Sequence, residues 1–152
     1  MEEAATLISL LSALVAILAA IYAKRQVKAA VAANQISLHA SRMEVLDGLS
    51  RFRVHLTARG AAITEEEVWK FAEVVERSDF YFPEPVYKKM NDLHERSLKL
   101  MAFHESWQEA KVSEPAKAPS LAKQKQDFMR ELRDDCYKVT DEIKKYLRVG
   151  AA

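Results

Sequence analysis

Residues 4–23, AATLISLLSALVAILAAIYA, run for twenty positions without a charge, and Lys24, Arg25 and Lys28 follow at once. At about 1.5 Å per residue, such a helix matches the roughly 30 Å hydrocarbon core of a bilayer. Leu7, Ile8, Leu10, Leu11, Leu14, Val15, Ile17, Leu18 and Ile21 point in every direction around it. An amphipathic surface helix keeps a polar face, and here there is none. Thr6, Ser9 and Ser12 are small hydroxyls able to bond back to the preceding turn. A buried core helix is the plainer alternative, and the length and the one-sided basic flank weigh against it. A cleaved signal peptide needs a basic leader, whereas Glu2 and Glu3 stand there. Its A-x-A pattern, Ala30-Val31-Ala32, comes only after the basic cluster. Residues 1–23 are therefore expected to be a single transmembrane anchor.

The flanks set its direction. Lys24, Arg25, Lys28 and Arg42 come before the first acid after the run, Glu44. Positive flanks stay on the cytoplasmic side, so the amino terminus is expected outside and the remainder in the cytoplasm, as in a bacterial inner membrane. Between Lys24 and Arg59 seven basic residues face two acidic ones, while from Gly60 onward sixteen face eighteen. The basic excess thus lies next to the apolar run, where anionic headgroups attract each Lys or Arg by roughly 1 kcal/mol. Lys24, Arg25 and Lys28 are read as a membrane-surface cluster. Nucleic-acid binding needs a denser basic face interleaved with aromatics. Ala13, Ala16, Ala19 and Ala20 leave room for close helix approach, so self-association through the span is an open option.

Three glycines and a composition rich in Leu, Ala, Glu, Lys and Arg favour helix throughout residues 24–150. The lone Cys136 excludes an intrachain disulfide and falls among core positions. A first helix runs from Lys24 to about Ala58, continuous with the span because no Gly or Pro separates them. Val31, Leu38, Val45 and Phe52 recur every seven residues, with Leu49 and Leu56 beside them. That stripe packs either within the chain or against another copy. Arg59-Gly60 closes the helix, and Thr64 with Glu67 forms a capping box flanked by the staple pair Ile63 and Val68. The second helix, with Val68, Phe71, Ala72 and Val75 on one face, is expected to end near Asp79.

Phe80-Tyr81-Phe82 then precedes Pro83 and Pro85. Phe82 and Glu84, each before a proline, are expected to be extended or turn-like. The three aromatics are a candidate interaction patch, but a plug over the bundle end is the preferred reading, Phe80 and Phe82 included. Val86, Met90, Leu93, Ser97, Leu100, His104 and Trp107 define a third helix to about Glu109. Residues 111–120 read as a loop with two prolines, and Ser120 as the cap of the last helix. Leu121, Phe128, Leu132, Cys136, Val139, Ile143 and Tyr146 form that helix's inner face. The expected fold is all-α: one transmembrane helix, then an antiparallel cytosolic bundle of three long helices and one short.

The chemistry-bearing residues do not assemble into a motif. His94-Glu95 and His104-Glu105 begin like the zinc sequence H-E-x-x-H, but Leu98 and Gln108 stand where the second histidine belongs. His39 and His55 have no partner pattern. No glycine-rich phosphate loop and no nucleophile signature occurs. Asp134-Asp135 read as a solvated face. No catalytic, cofactor or metal residues are assigned.

Arg42-Met43-Glu44-Val45-Leu46-Asp47, after the apolar run, together with Ser78-Asp79-Phe80-Tyr81-Phe82 and the Val86–Leu100 helix, resembles a widespread class of bacterial single-pass inner-membrane proteins with a cytosolic helical domain. The likeness covers about residues 5–105, with Met43 and Leu46 where that class has aromatics. It implies a membrane anchor and a helical body, and it carries over no activity and no catalytic residue. A membrane-anchored interaction module, bound to the bilayer and to itself or another protein, is the leading expectation. A signalling or stress component relaying oligomeric state through a continuous helix comes second, and a membrane enzyme third.

Overall fold

The computed structural model describes the backbone of residues 2–149 and the side chains of residues 11–148. Four helices make it up: α1 (Glu2–Arg59), α2 (Glu65–Tyr81), α3 (Glu84–Ser113) and α4 (Ala118–Val149), with a 3-10 turn at Gly60–Ala62. No strand occurs among the described residues. The chain divides into two compact units, Met1–Leu38 and His39–Ala152.

The first unit is helical wherever its backbone is described, and every side chain from Leu11 to Ser37 is exposed. Leu14 is 60 % exposed and Ile17 60 %. Residues 4–10 of the expected span lie outside the described side chains. Among the described residues no helix is long and apolar enough to cross a membrane.

The second unit is an up-down-up-down bundle, and its cross-helix contacts give the directions. Gly48 meets Val74, and Phe52 stacks on Phe71, so partners on α2 fall as those on α1 rise. Arg42 bonds to Tyr146 and Arg53 lies over Tyr137, which makes α4 antiparallel to α1 as well. Lys89 pairs with Glu142 and Arg96 with Asp135, the same reversal between α3 and α4. Val45, Leu49, Phe52 and Leu56 from α1 meet Val68, Phe71 and Val75 from α2, Val86 to Leu100 from α3, and Leu132 to Leu147 from α4 in one core. Ser78, Ser97 and Thr140 are buried too, and each hydroxyl donates to a carbonyl three or four residues back on its own helix. Cys136 is fully buried, and burial pushes its thiol up to about 12.

Local chemistry explains the breaks. Gly60 takes a φ of +61°, the left-handed conformation that ends α1. Thr64 Oγ1 accepts from the Glu67 N–H, Glu67 Oε2 accepts from the Thr64 N–H, and Ile63 and Val68 are both buried. Gly48 is small for a different reason: a Cβ there would sit 2.4 Å from Val74 Cγ2. Its hydrogen lets α1 and α2 approach closely.

Several boundaries differ from expectation. The helix α2 runs on to Tyr81, and Glu84 is helical, because Pro83 O accepts from the Val86 and Tyr87 N–H groups and closes the first turn around Pro85. The expected loop 111–120 shrinks to residues 114–117, since α3 continues to Ser113, where Glu114 before Pro115 leaves the helix. Pro119 lies in the first turn of α4, where its missing N–H costs nothing. Ser120 is thus not a cap; its hydroxyl donates to Lys117 O. His104 and Trp107 are half-buried and do not reach the core. Asp135 is not a plain solvated carboxylate, being held by Arg96 and Lys138.

Candidate functional site

Lys24, Arg25 and Lys28 are helical and fully on the outside of the first unit. Helical phase places Lys24 and Lys28 one turn apart, with Arg25 on the adjacent face. They form a short collar on which a negatively charged surface can rest, directly after the apolar run.

The aromatic trio divides. Phe82 is 6 % exposed, and its ring meets Tyr146 edge-on with centroids 5.9 Å apart. Tyr81 is half-buried against the core. Phe80 is 82 % exposed, so it is no part of a plug. Helical phase separates them: α2 is still turning at residues 80 and 81, and Phe82, in extended backbone, swings back over the bundle end. The guanidinium of Arg42 lies 5.7 Å from the Phe82 ring centroid. Its Nε donates to Tyr81 O at 3.0 Å and a terminal nitrogen donates to Tyr146 O at 3.4 Å.

A groove of about 480 Å³ between α1 and α2 was not visible in the sequence. Its floor is the Phe52–Phe71 stack, with rings 4.0 Å apart and 10° from parallel. Arg51, His55, Lys70 and Arg77 line it together with Glu67 and Glu73. The basic side chains are largely engaged: His55 Nδ1 lies 2.6 Å from Glu67, Lys70 pairs with Glu66, and Arg77 with Glu44. Burial pushes the Glu67 carboxyl upward, but the Thr64 N–H, His55 and Arg59 outweigh it and hold Glu67 below its usual range. With one histidine and neither hydroxyl nor thiol on its lining, the groove resembles a cross-braced seam more than a reaction centre. The small residue Gly48 was its one sequence signal.

At the other end of the bundle, Trp107 carries two ammonium groups, Lys125 Nζ at 3.3 Å and Lys111 Nζ at 4.7 Å from its centroid. Burial, then the charge of Lys111, lowers Lys125. Burial, then the charge of Lys125, lowers His104, whose Nε2 faces Gln108 at 3.3 Å. The four histidines are not brought together in pairs by any contact. Among the described residues no group of three or more His, Cys, Asp or Glu is placed to hold a metal ion. Comparison with known family models, with curated proteins and with solved structures found no match to this chain.

Proposed function

We propose that this chain is a membrane-tethered helical interaction module, anchored by residues 4–23 with the amino terminus outside and the bundle in the cytoplasm. The observation that carries this reading is the uncharged run itself, whose described large side chains, Leu11 to Tyr22, are all exposed to their surroundings. In water such a surface is a liability, whereas hydrocarbon accepts it without penalty. The collar of Lys24, Arg25 and Lys28 suits anionic headgroups on the cytoplasmic side. The resemblance to bacterial single-pass inner-membrane proteins supports the same placement. The bundle, and Phe80 on its surface, would supply the contact with a second copy or another protein.

A relay is the second reading, favoured by a helix unbroken across residues 24–35. A passive tether would tolerate a kink or loose chain there. An enzyme calls for a polar pocket with two or more histidines and a carboxylate, and the α1–α2 groove holds His55 alone.

Alkaline carbonate extraction and cysteine labelling test the placement. Val112 is 87 % exposed and the native Cys136 is buried, so Val112→Cys gives one clean reporter. The protein should stay with the membrane pellet, and an impermeant maleimide should label Val112→Cys only after the cells are opened. Labelling in intact cells, or release by carbonate, defeats the proposal.

A further inference from the structure

Arg42 lies in the fourth residue of the bundle's portion of α1 and touches the ends of two other helices. Tyr81 is the last residue of α2, and Tyr146 lies in the last turn of α4. The Tyr81 carbonyl lacks an intrahelical partner, and both carbonyls lie at the negative end of a helix dipole. One guanidinium therefore touches the ends of two helices at once, while its face covers Phe82. The fork geometry matters, because a point-like ammonium cannot donate in two fixed directions from one planar group. Glu44, two residues on, pairs with Arg77 of α2, and Val45 enters the core, so the Arg42-x-Glu44-Val45 segment fastens α1 by three different means.

We propose that Arg42 is a latch through which the position of α1 sets the order of the α4 carboxyl-terminal turn and of the α2–α3 junction. This rests on the relay reading of α1. A shift of α1 along or about its axis moves the guanidinium off both carbonyls together, since the two bonds share one rigid group. The Phe82–Tyr146 contact then loses its cover, and the bundle end loosens while the core built on Leu49 and Phe71 stays closed. Arg42 is a positioning residue with no substrate of its own.

The test uses the full chain in lipid nanodiscs of thin and thick bilayers, which tilt a spanning helix differently. Hydrogen exchange is read at residues 146–149, at residues 80–82 and, as control, at residues 49–56. Arg42→Gln should raise exchange at both ends about tenfold, the scale of a lost charge-assisted hydrogen bond, and leave the control unchanged. In the wild type the two bilayers should give different exchange at residues 146–149, and in Arg42→Gln that difference should vanish. Arg42→Lys should restore protection only in part. The latch is overturned if Arg42→Gln changes nothing, if it raises exchange evenly through the bundle, or if the bilayer difference survives it. A wild type indifferent to bilayer thickness, with Arg42→Gln still loosening both ends, defeats the relay and the coupling but leaves Arg42 as a two-helix cap.

Discussion

Between residues 11 and 38, α1 turns Leu11, Leu14, Ile17, Val27 and Val31 outward, and no other helix covers them. Between residues 39 and 59 the same helix places Val45, Leu49, Phe52 and Leu56 on one buried stripe and leaves Arg51, Thr57 and Arg59 in solvent. The heptad that joins Val31 and Leu38 to Val45 and Phe52 is therefore used in two ways. Its second half packs inside the chain against α2 and α4, while in its first half Val31 is exposed and Leu38 only half-buried. Apolar spacing alone is the same in both. What differs is the packing the fold supplies: residues 45–56 share one core with α2, α3 and α4, while Val31 stays 52 % exposed. A stripe on a helix with a polar face is satisfied in water by burial against other helices, whereas residues 11–23 have no charged face to leave in solvent.

The strongest break of this comparison is to truncate the same stripe in both halves. Phe52→Ala removes a ring stacked on Phe71 and should destabilise the full chain by about 3–5 kcal/mol. Val31→Ala should change stability by less than about 0.5 kcal/mol, as for an exposed site. Urea unfolding followed by helical circular dichroism in the same detergent checks both. Equal losses would mean that Val31 is packed against something the single chain does not supply. The aromatic trio repeats the contrast on a smaller scale: Phe82→Ala should cost about 3–5 kcal/mol, and Phe80→Ala should leave the midpoint in place.

Close approach of α1 and α2 comes next. Gly48→Ala puts a methyl group against Val74 and should cost about 1–3 kcal/mol, with a compensating Val74→Ala recovering part of the loss. Full stability in Gly48→Ala alone would show that the two helices separate freely. Thr64→Ala removes one half of the capping box and should cost about 0.5–2 kcal/mol, against no measurable change for Thr57→Ala on the outer face of α1.

The smallest expected effect is electrostatic. The Arg96 and Lys138 hydrogen bonds hold Asp135 below its usual range, and Glu67 is lowered as well. A carboxyl whose folded pKa lies below its unfolded value contributes stability above the unfolded value, near about 4, and loses it as pH falls through the folded one. The bundle should therefore weaken as pH falls below the unfolded carboxyl range of about 4. Asp135→Asn should flatten that slope and leave a smaller drop in unfolding midpoint. An unchanged slope would show that Asp135 gains nothing from its partners in solution.

Residues whose role depends on near neighbours in the chain were readable from the sequence. Gly60 ended α1, Thr64 and Glu67 opened α2, and the 4-3-4-3 spacing of Val86, Met90, Leu93, Ser97 and Leu100 marked the face of α3, because helix phase and end-capping act over a few residues. Phe80, Asp135 and Arg42 were not readable. Whether an aromatic before a proline faces in or out depends on where the preceding helix stops, and the two extra residues of α2 turned Phe80 outward. Asp135 gained its partner from a helix thirty-nine positions away, and Arg42 found its two carbonyls on separate helix ends. By itself the sequence determined the all-helical class, the turn chemistry and the uncharged run after residue 3. Only the tertiary structure decided which half of the heptad is buried, that Gly48 is a point of helix contact, and that Arg42 joins three helices. Local hydrogen bonds and periodicity are carried by neighbours in the chain, whereas close approach and shared caps exist only once distant helices meet.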